Sequence, residues 1–529
     1  MDSTEHAGLS AAQRWLLTLS SLGVAVVIAS MAALYTALPE IAADTGASQA
    51  QLTWIVDGYT LALACLVLLG GALGDRFGRR VTFIAGMVIF SLASALPLLQ
   101  DSPTWLIIAR AAAGVGAALV MPSTLSLISA GFPEERRGSA VGLWAGVAGA
   151  GAILGILGSG VLLEYWSWIS IFVGLTITGA LLSLAAFTVP ESMDQTRPPL
   201  DPLGALTSAL AVGLVVVAAT EAPARGWLDP LVLGPAIGGV VAAAAFVVIE
   251  NRVAHPLLDL RLFADRGFAS GTAIVTVQFL VTFGMFMLIT QFFQLILGYR
   301  PLMSAVAFAP MVVPMMAVSA VSPWLAARFG LRWITCTGLL MIGATLLVIT
   351  RVEVDSGYMF MLWPLLLMST GVGLCTAPAT AAIIAGTPVE KYGVAAAVND
   401  AAREVGAAIG IAIGGSVLAA GYSQRIAPAL PSLPEPAREP VGDSLAAAMQ
   451  IAERAGPTGQ PLAEFAKSAF IHGMHQSSAA LGFLTVGGAL LIAFWTPGRR
   501  RMPPPAAVTP AEPRHTATSG KPEQAATPS

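Results

Sequence analysis

The feature that most constrains this chain is a series of long apolar stretches along almost its whole length. A helix of roughly 20 apolar residues crosses a hydrocarbon core of about 30 Å, and the sequence contains about fourteen stretches of that length. We therefore predict an all-α integral membrane protein. The spans are expected near residues 15–39, 52–74, 82–99, 105–130, 138–162, 168–189, 202–223, 231–250, 268–293, 304–327, 333–350, 358–386, 393–421 and 474–496.

Composition excludes a soluble globular protein. Hydrophobic residues make up 56% of the 529 residues and charged residues 11%, against about 25% charged in an average soluble domain. The net charge of −3 and the lack of a basic block argue against a nucleic acid as partner. The three cysteines all lie in apolar runs, a pattern typical of neither a disulfide framework nor a zinc site. The first apolar run is too long for a signal-peptide core, so we expect a retained helix.

The distribution of Lys and Arg predicts the orientation of the chain. Most of these residues outside the spans fall on the side of the N-terminus, because loops on that side carry Arg76, Arg79, Arg80, Arg136 and Arg137. Positive charge is concentrated in cytoplasmic loops. We therefore expect a multi-pass protein of the cell membrane with both termini in the cytoplasm.

An internal repeat indicates two related halves. GALGDRFGRR at 71–80 follows the second span, and PWLAARFGLR at 323–332 follows the tenth. The repeats are eight spans apart, which fits two six-helix bundles with two helices inserted between them. The predicted organisation is a cytoplasmic N-terminus at 1–14, a bundle at 15–190, inserted helices at 202–250, a bundle at 268–496 that includes a long external loop at 422–473, and a disordered cytoplasmic tail at 497–529.

The external loop contains two amphipathic stretches, DSLAAAMQIAERA and PLAEFAKSAFIHGMH. They predict two short helices that cap the external mouth of the protein. A tolerated surface insertion accounts for the same pattern, and the sequence alone leaves both interpretations open.

The loop after the second span combines glycines and charges in a very short hairpin. Its glycines permit close helix approach and a tight turn, and Asp75 can pair with Arg79 or with the neighbouring bundle, as a polar latch that must break when the bundles rock. The segment resembles the signature loop of the major facilitator superfamily, G-x-L-x-D-R-x-G-R-R. We expect conformational gating from Gly71, Asp75, Arg76, Gly78, Arg79 and Arg80.

Two further motifs fall where this superfamily has them. The segment R110-A-A-A-G-V-G-A-A118 resembles the fourth-helix motif, whose buried arginine is linked to proton coupling; a purely structural role for Arg110 remains open. The segment G151-A-I-L-G-I-L-G-S-G160 resembles the fifth-helix antiporter motif. Ile156 replaces its proline and Ser159 a glycine, but the small-residue face of Gly151, Gly155 and Gly160 remains, which favours antiport over uptake and adds these glycines to the expected gating set.

Several other stretches are similar to the fourteen-helix drug:proton antiporter branch. They are D201-P-L-G-A, E221-A-P-A-R-G-W227, H255-P-L-L-D-L-R-L-F263, Q294-L-I-L-G-Y-R-P and A396-A-V-N-D-A-A-R-E-V-G406. The segments W54-I-V-D-G-Y-T-L61 and M121-P-S-T-L-S-L-I128 most resemble exporters of quaternary ammonium compounds and dyes. The resemblance covers the chain to about residue 496.

Acidic residues inside the spans are candidates for binding substrate and protons. Asp57 lies about one turn into the second span beside Trp54 and Tyr59. Because an ionised carboxylate is unfavourable in hydrocarbon, we expect Asp57 to bind either a proton or a cation, as an antiporter requires. Trp54 and Tyr59 add cation–π attraction. A hydrated acid at the outer end of a helix is the alternative for Asp57.

A second acidic group lies in the thirteenth span. Asp400 and Glu404 are four residues apart and share a helix face. Arg403, three residues from Asp400, is included in the candidate site. The alternative is an internal Asp400–Arg403 ion pair that only neutralises charge.

The sequence departs from the family at one position and lacks several enzyme motifs. Relatives usually carry an aspartate nine residues before the proline of A-L-P, where this chain has Ser30, which puts transport of divalent cations in doubt. No G-x-x-x-x-G-K-[ST] loop, H-E-x-x-H motif or evident catalytic triad occurs. We expect no enzyme activity, no cofactor, no metal site and no nucleotide partner.

The sequence thus predicts a proton-driven exporter of lipophilic, cationic small molecules by alternating access. Quaternary ammonium compounds, dyes and biocides are the expected substrates, and protons and the lipid bilayer the other partners. One alternative is a dedicated exporter of one antibiotic or metabolite with the same fold. Another is a membrane sensor or scaffold that transports nothing.

Overall fold

The computed structural model describes residues 9–47, 49–100, 102–193 and 199–497. Within these ranges the chain is almost entirely helical, and fourteen helical segments are long and apolar enough to cross a membrane. The all-α, fourteen-span prediction is therefore confirmed. The tail expected to be disordered lies, from residue 498 onward, outside the described residues.

The first half of the chain forms six spans. Local sequence explains several of their ends: Ser102 caps α4 by accepting a hydrogen bond from the backbone of Trp105, and Pro103 occupies the first turn, where a missing N–H is tolerated. The helices are α1 (Ala11–Thr45), α2 (Gln49–Phe77), α3 (Arg79–Ala95), α4 (Pro103–Gly131), α5 (Glu134–Tyr165) and α6 (Ile169–Ala186).

Two inserted helices follow, α7 (Pro202–Arg225) and α8 (Pro230–Glu250). They pack against each other, and α7 also contacts α2 of the first half and α14 (Tyr392–Ile426) of the second. The helix α7 therefore lies at a seam between the two halves, and α8 packs against it.

The second half is less regular. A π-helical turn, Phe292–Ile296, extends α9, and a 3₁₀ turn, Ala309–Met311, separates α10 from α11 within one span. Pro310 in that turn lacks the N–H that a continuous helix would use. The remaining helices are α9 (Arg266–Gln291), α10 (Pro301–Phe308), α11 (Val312–Phe329), α12 (Leu331–Ile349), α13 (Tyr358–Ala385), α15 (Glu435–Asp443), α16 (Leu445–Arg454) and α17 (Gln460–Trp495).

The segment expected to be a loop over 422–473 differs from the prediction. The helix α14 continues to Ile426 and α17 begins at Gln460, so both spans extend into the predicted loop. The first amphipathic stretch forms α16, whereas the second is the opening part of α17 and not a separate short helix. The apolar side of that stretch is continuous with the span that follows it.

The internal repeat is visible in the geometry. Gly78 and Gly330 have positive φ angles of 112° and 96°, a conformation that favours glycine, and each ends one helix and starts the next. The guanidinium of Arg80 donates to the carbonyl of Val189 just after α6, and that of Arg332 donates to the carbonyl of Thr496 just after α17. Each repeat thus ties a hairpin to the last helix of its own half.

The fourteen spans define two ends of the molecule. We call the end where α1 begins the terminal face and the other end the distal face. The side chain of Trp15, at the start of α1, donates to Thr188 after α6, which places the end of α6 on the terminal face. Because successive spans run in opposite directions, both hairpin repeats and the end of α17 also lie on this face. The halves meet where α5 packs against α11 and α2 against α14.

Candidate functional site

A buried ionic contact joins the two halves at the terminal face. Asp75, at the end of α2, is 6% exposed and lies 2.9 Å from the guanidinium of Arg79. Its Oδ1 also accepts from the backbone N–H of Gly393 over 2.8 Å, and its Oδ2 from that of Val394 over 3.0 Å. Both amides belong to the first turn of α14, where unpaired N–H groups and the helix dipole favour a carboxylate. We call Asp75, Arg79, Gly393 and Val394 the latch.

Arg79 completes the latch. Its guanidinium donates to the carbonyl of Val389 over 2.6 Å, just before α14, and to the hydroxyl of Ser192 after α6 over 3.0 Å. A close approach of backbones supports these bonds, because a Cβ at Gly71 would lie 2.7 Å from the Cβ of Ala397. The hairpin between α2 and α3 is therefore fastened to the opposite half.

Arg110 is buried among α1, α2 and α4 at 1% exposure. Its guanidinium donates to the hydroxyl of Ser30 over 2.9 Å, to the Ser30 carbonyl over 3.3 Å and to the Ile55 carbonyl over 3.2 Å. The guanidinium carbon lies 4.1 Å from the ring centroid of Tyr59, whose hydroxyl donates to the carbonyl of Val27. Neutral groups and an aromatic ring therefore surround this positive charge.

A second buried cation lies where the halves meet. The guanidinium of Arg403 on α14 is 5.0 Å from the ring centroid of Trp144 on α5 and 5.1 Å from that of Phe279 on α9. The fully buried Trp144 donates its indole N–H to the hydroxyl of Thr124. The Nε and Nη2 atoms of Arg403 have no hydrogen-bond partner. Aromatic faces from both halves thus hold a cation.

The two acids of α14 lie next to Arg403 in sequence but do not form close ion pairs with it. Asp400 is fully buried; its Oδ1 accepts from the side-chain amide of Asn399 over 3.2 Å, and its Oδ2 has no hydrogen-bond partner. In the described part of the chain, no oxygen of Asp400 or Glu404 lies within 4 Å of an Arg403 nitrogen. Glu404 is half-buried. The expected alternative of a tight Asp400–Arg403 pair is therefore not the arrangement observed.

A series of aromatic rings extends from Arg403 along α9. The ring centroids of Phe279 and Phe283 are 5.8 Å apart, and those of Phe283 and Phe286 are 6.2 Å apart. Phe286 then contacts Phe308 of α10 over 5.2 Å. The three rings of α9 occupy one helix face and are half-buried. We call these four rings the phenylalanine ladder.

Asp57 lines a pocket that the acids of α14 do not line. It lines a small pocket between α2 and α7 with Trp54 and with Glu221, near the end of α7. Glu221 lies 2.6 Å from the guanidinium of Arg225. Among the described residues that line this pocket there is neither Asp400 nor Glu404. The structure therefore brings Asp57 and Trp54 together, and it places Tyr59 beside Arg110 instead.

The small residues of the fifth-helix motif face other helices. A Cβ on Gly155 would lie 2.6 Å from the backbone of Ala29 on α1, and Gly151 faces the same helix at Ala25. Gly160 faces Leu302 of the second half. The hydroxyl of Ser159 is 2.8 Å from that of Thr36, and α5 continues without interruption past Ile156.

Sequence reasoning missed several residues of these clusters, including Trp144, Phe279 and Glu221. Trp144 and Phe279 look like ordinary apolar residues of a span, and only tertiary packing places them against Arg403. Glu221 carried a usable signal, because it is an acid at the end of an apolar stretch. Within the described residues, no group of three or more His, Cys, Asp or Glu side chains is arranged to hold a metal ion.

Comparisons with known proteins agree with this architecture. The family model described as Major Facilitator Superfamily matches residues 20–411. The chain is 34% identical over 431 residues to "Multidrug resistance protein Stp" of Mycobacterium tuberculosis (strain CDC 1551 / Oshkosh), covering 80% of each chain.

Two further relatives are similar over most of their length. The chain is 32% identical over 481 residues to "Multidrug efflux pump LfrA" of Mycolicibacterium smegmatis, covering 90% of this chain and 95% of the relative. It is 32% identical over 464 residues to "Methyl viologen resistance protein SmvA" of Salmonella typhimurium (strain 14028s / SGSC 2262), covering 86% and 93%. Among solved structures, the proton:xylose symporter XylE shares the fold with a TM-score of 0.60 at 14% identity, over 92% of this chain and 97% of that one.

Proposed function

This chain belongs to the major facilitator superfamily, and on that premise we propose that it exports lipophilic, cationic drugs across the cell membrane in exchange for protons. Quaternary ammonium compounds, dyes and biocides are the proposed substrates. The names of the relatives support drug export, and methyl viologen, named for one of them, is itself a quaternary aromatic cation.

The observation that carries the proposal is the position of Arg403 on Trp144 and Phe279. In this contact, aromatic faces from both halves lie against a cation at their junction, which supports a site for a cationic drug there. An incoming drug cation would compete with the guanidinium for these faces, with Asp400 and Glu404 next to it in sequence. The phenylalanine ladder would supply apolar surface for the rest of the drug.

We assign proton exchange to acids within the spans. Asp57, with Trp54, and the pair Asp400 and Glu404 would take up either a proton or a cation, and Arg110 would couple proton binding to movement of the first half. Coupling requires the drug and the proton to favour different conformations. The latch holds the terminal face closed, so release of Asp75 from α14 would accompany opening on that side.

We further propose that the terminal face is cytoplasmic and that both termini lie in the cytoplasm. The basic residues Arg76, Arg79, Arg80, Arg136 and Arg137 support this orientation, because all of them lie on the terminal face. The closed latch would then correspond to a conformation that is shut toward the cytoplasm.

Flux in proteoliposomes tests the proposal. With a pH gradient imposed, cationic compounds should collapse the gradient, neutral ones should do so less, and anionic ones should have no effect. A Glu135→Gln variant, whose exposed side chain on the terminal face belongs to none of these clusters, should behave as the wild type.

Each other outcome of this assay has a distinct meaning. If compounds of many chemical classes are tested and only one of them produces proton flux, the protein is a dedicated exporter of one antibiotic or metabolite. An absence of any substrate-dependent proton flux from folded protein would contradict export and favour a sensor or scaffold.

A further inference from the structure

Two buried acids outside the clusters above meet where α7 begins and α8 ends, on the terminal face. Asp201 is the N-cap of α7 and is 6% exposed, and Glu250 is the last residue of α8 and is 5% exposed. They line a cavity of about 390 Å³ that also reaches the hairpin after α2 and the start of α14. Neither residue has a role in the proposed export site.

One oxygen of each acid is satisfied and the other is not. Asp201 Oδ1 accepts from the backbone N–H of Gly204 over 2.9 Å, and Glu250 Oε2 accepts from that of Leu258 over 3.1 Å. Asp201 Oδ2 and Glu250 Oε1 are buried and have no hydrogen-bond partner. A buried polar atom without a partner is costly, so the two atoms require an explanation.

The two unpartnered oxygens crowd the same small volume. A Cβ at Gly204 would collide both with Glu250 Oε1 and with Asp201 Oδ2, the latter at 2.6 Å. Only a glycine leaves room for both oxygens at this point. In the described part of the chain, no Lys, Arg or His nitrogen lies within 4 Å of either carboxylate. Two ionised carboxylates in this position would repel each other with no cation in direct contact to offset the repulsion.

We propose that Asp201 and Glu250 share one proton, so that a carboxylic acid–carboxylate hydrogen bond joins the ends of α7 and α8. The proton provides the donor that both orphaned oxygens lack. A buried site with two oxygen ligands and no room for a side chain at Gly204 fits a proton better than a metal ion. This inference rests on the proposed function in one respect, the assignment of the terminal face to the cytoplasm. With that orientation, the shared proton lies on the cytoplasmic side.

Three of the other charged groups of the cavity are engaged in contacts of their own. Asp259 pairs with Lys391 over 3.4 Å, and Asp75 belongs to the latch. When the shared proton leaves, two negative charges remain at the joint, and we expect the ends of α7 and α8 to separate. The charged and titratable residues that line the same cavity are Asp75, Arg76, His255, Asp259, Arg261, Glu390 and Lys391.

Infrared spectroscopy of the purified full-length protein tests the shared proton directly. At neutral pH, the difference spectra of the wild type against Glu250→Gln and against Asp201→Asn should each show one protonated carboxyl band lost from the wild type, because each new amide can donate to the remaining carboxylate. Bands of other protonated acids, such as those of α14, cancel in these differences. Asn is a good N-cap, so the second variant should keep the start of α7. The matched control Glu390→Gln, an exposed acid on the wall of the same cavity, should keep the band. A difference spectrum without this loss, for either substitution at the pair, overturns the proposal.

A distance measurement, made first with Asp201 and Glu250 intact, tests whether the ends of α7 and α8 separate when the proton leaves. Spin labels at Leu203→Cys and Val248→Cys, both exposed, report the separation of the α7 and α8 ends after replacement of Cys65, Cys336 and Cys375. The distance should increase as the pH rises in this background and stay constant when Glu250→Gln is added. A distance independent of pH in the background protein contradicts the proposal. Because neither test measures transport, their failure is distinct from a failure of the proposed export function.

Discussion

The guanidinium of Arg110 donates to the hydroxyl of Ser30 over 2.9 Å, and this neutral contact takes the place of an ion pair. In the part of the chain that the structure describes, no carboxylate lies within 4 Å of Arg110, although the side chain is buried. Ser30 is the position where the sequence resemblance leads one to expect an aspartate. The first half of the protein therefore holds an uncompensated positive charge.

Ser30→Asp should raise the apparent unfolding temperature, because a buried charge without a partner would gain one. Ser30→Ala should lower stability by about 1–3 kcal/mol, since a buried donor loses its acceptor. Thermal unfolding of purified protein measures both changes. Ser21→Ala is the matched control, because this hydroxyl is also buried on α1 and has no hydrogen-bond partner. A lower unfolding temperature for Ser30→Asp would contradict this account of Arg110.

Asp75→Asn should impair turnover more than substrate binding. Asn keeps one acceptor oxygen but places an NH₂ group where the carboxylate accepts from Gly393 or Val394, so the latch weakens. Affinity should change only by the shift in conformer populations. Labelling of Val394→Cys, a buried position at the latch, should become faster in the Asp75→Asn background after removal of the native cysteines. Complete loss of binding by folded protein would show that Asp75 does not act as a latch.

Asp57→Asn should weaken export of cationic compounds while protein levels stay unchanged. Asn removes the charge and the titrating proton but keeps the volume. We expect a loss of about tenfold, equivalent to about 1.4 kcal/mol, and partial activity for Asp57→Glu. Neutral substrates should be affected less. If Asp57→Asn exports cationic and neutral compounds equally and at the wild-type rate, Asp57 is a hydrated acid at the outer end of a helix and does not bind the substrate.

A double variant separates the contributions of Asp57 and Glu221 to export activity. Because both acids line the same pocket, Glu221 should compensate in part for Asp57→Asn. The double variant Asp57→Asn with Glu221→Gln should therefore lose more export activity than the two single losses combined. Simple additivity in the same transport assay would indicate that the two acids act independently.

Arg403→Gln should bind a cationic dye more tightly and transport it more slowly. The substitution frees the faces of Trp144 and Phe279 and leaves the acids of α14 without a neighbouring positive charge. Dye binding in detergent and flux in proteoliposomes measure the two effects separately. Trp144→Phe should keep more of the dye affinity than Trp144→Leu, because only the former keeps an aromatic face. Weaker binding by Arg403→Gln would exclude competition between the guanidinium and the drug.

The proposed orientation predicts the location of two reporters. One fused after Ser529 should report from the cytoplasm, and one inserted near Ser432, in the segment between α14 and α15, should report from outside. A cytoplasmic signal from residue 432 would contradict the orientation or the number of spans.

The sequence was sufficient for the features that depend on local chemistry. Span number follows from the lengths of apolar stretches, and the Asp75–Arg79 pair of the latch follows from an acid and an arginine one helical turn apart in a glycine-rich hairpin. Gly393, the latch residue on α14 that donates to Asp75, lies 318 residues from it. No local pattern specifies such a contact. The same holds for Trp144 with Arg403, and for Asp201 with Glu250.

Helix geometry alone separates Tyr59 from the pair Trp54 and Asp57. Trp54 and Asp57 are three residues apart and share a face, whereas Asp57 and Tyr59 are two apart and point to different sides of α2. The structure follows this rule, with Trp54 beside the Asp57 pocket and Tyr59 beneath Arg110.

The position of α7 restricts how the halves can move. Its middle packs on α2, where Gly213 faces Cys65; near its end Pro223 faces Gly415 of α14, and Trp227 donates to Ser416. In the proposed alternating-access cycle, a helix fastened to both halves cannot travel with both, so α7 would slide along one of its two neighbours. The hydrogen bond of Trp227 favours travel with α14. The interface between α2 and α7 would then open and close as α7 moves, and Asp57 in this interface would be exposed to water once in every cycle.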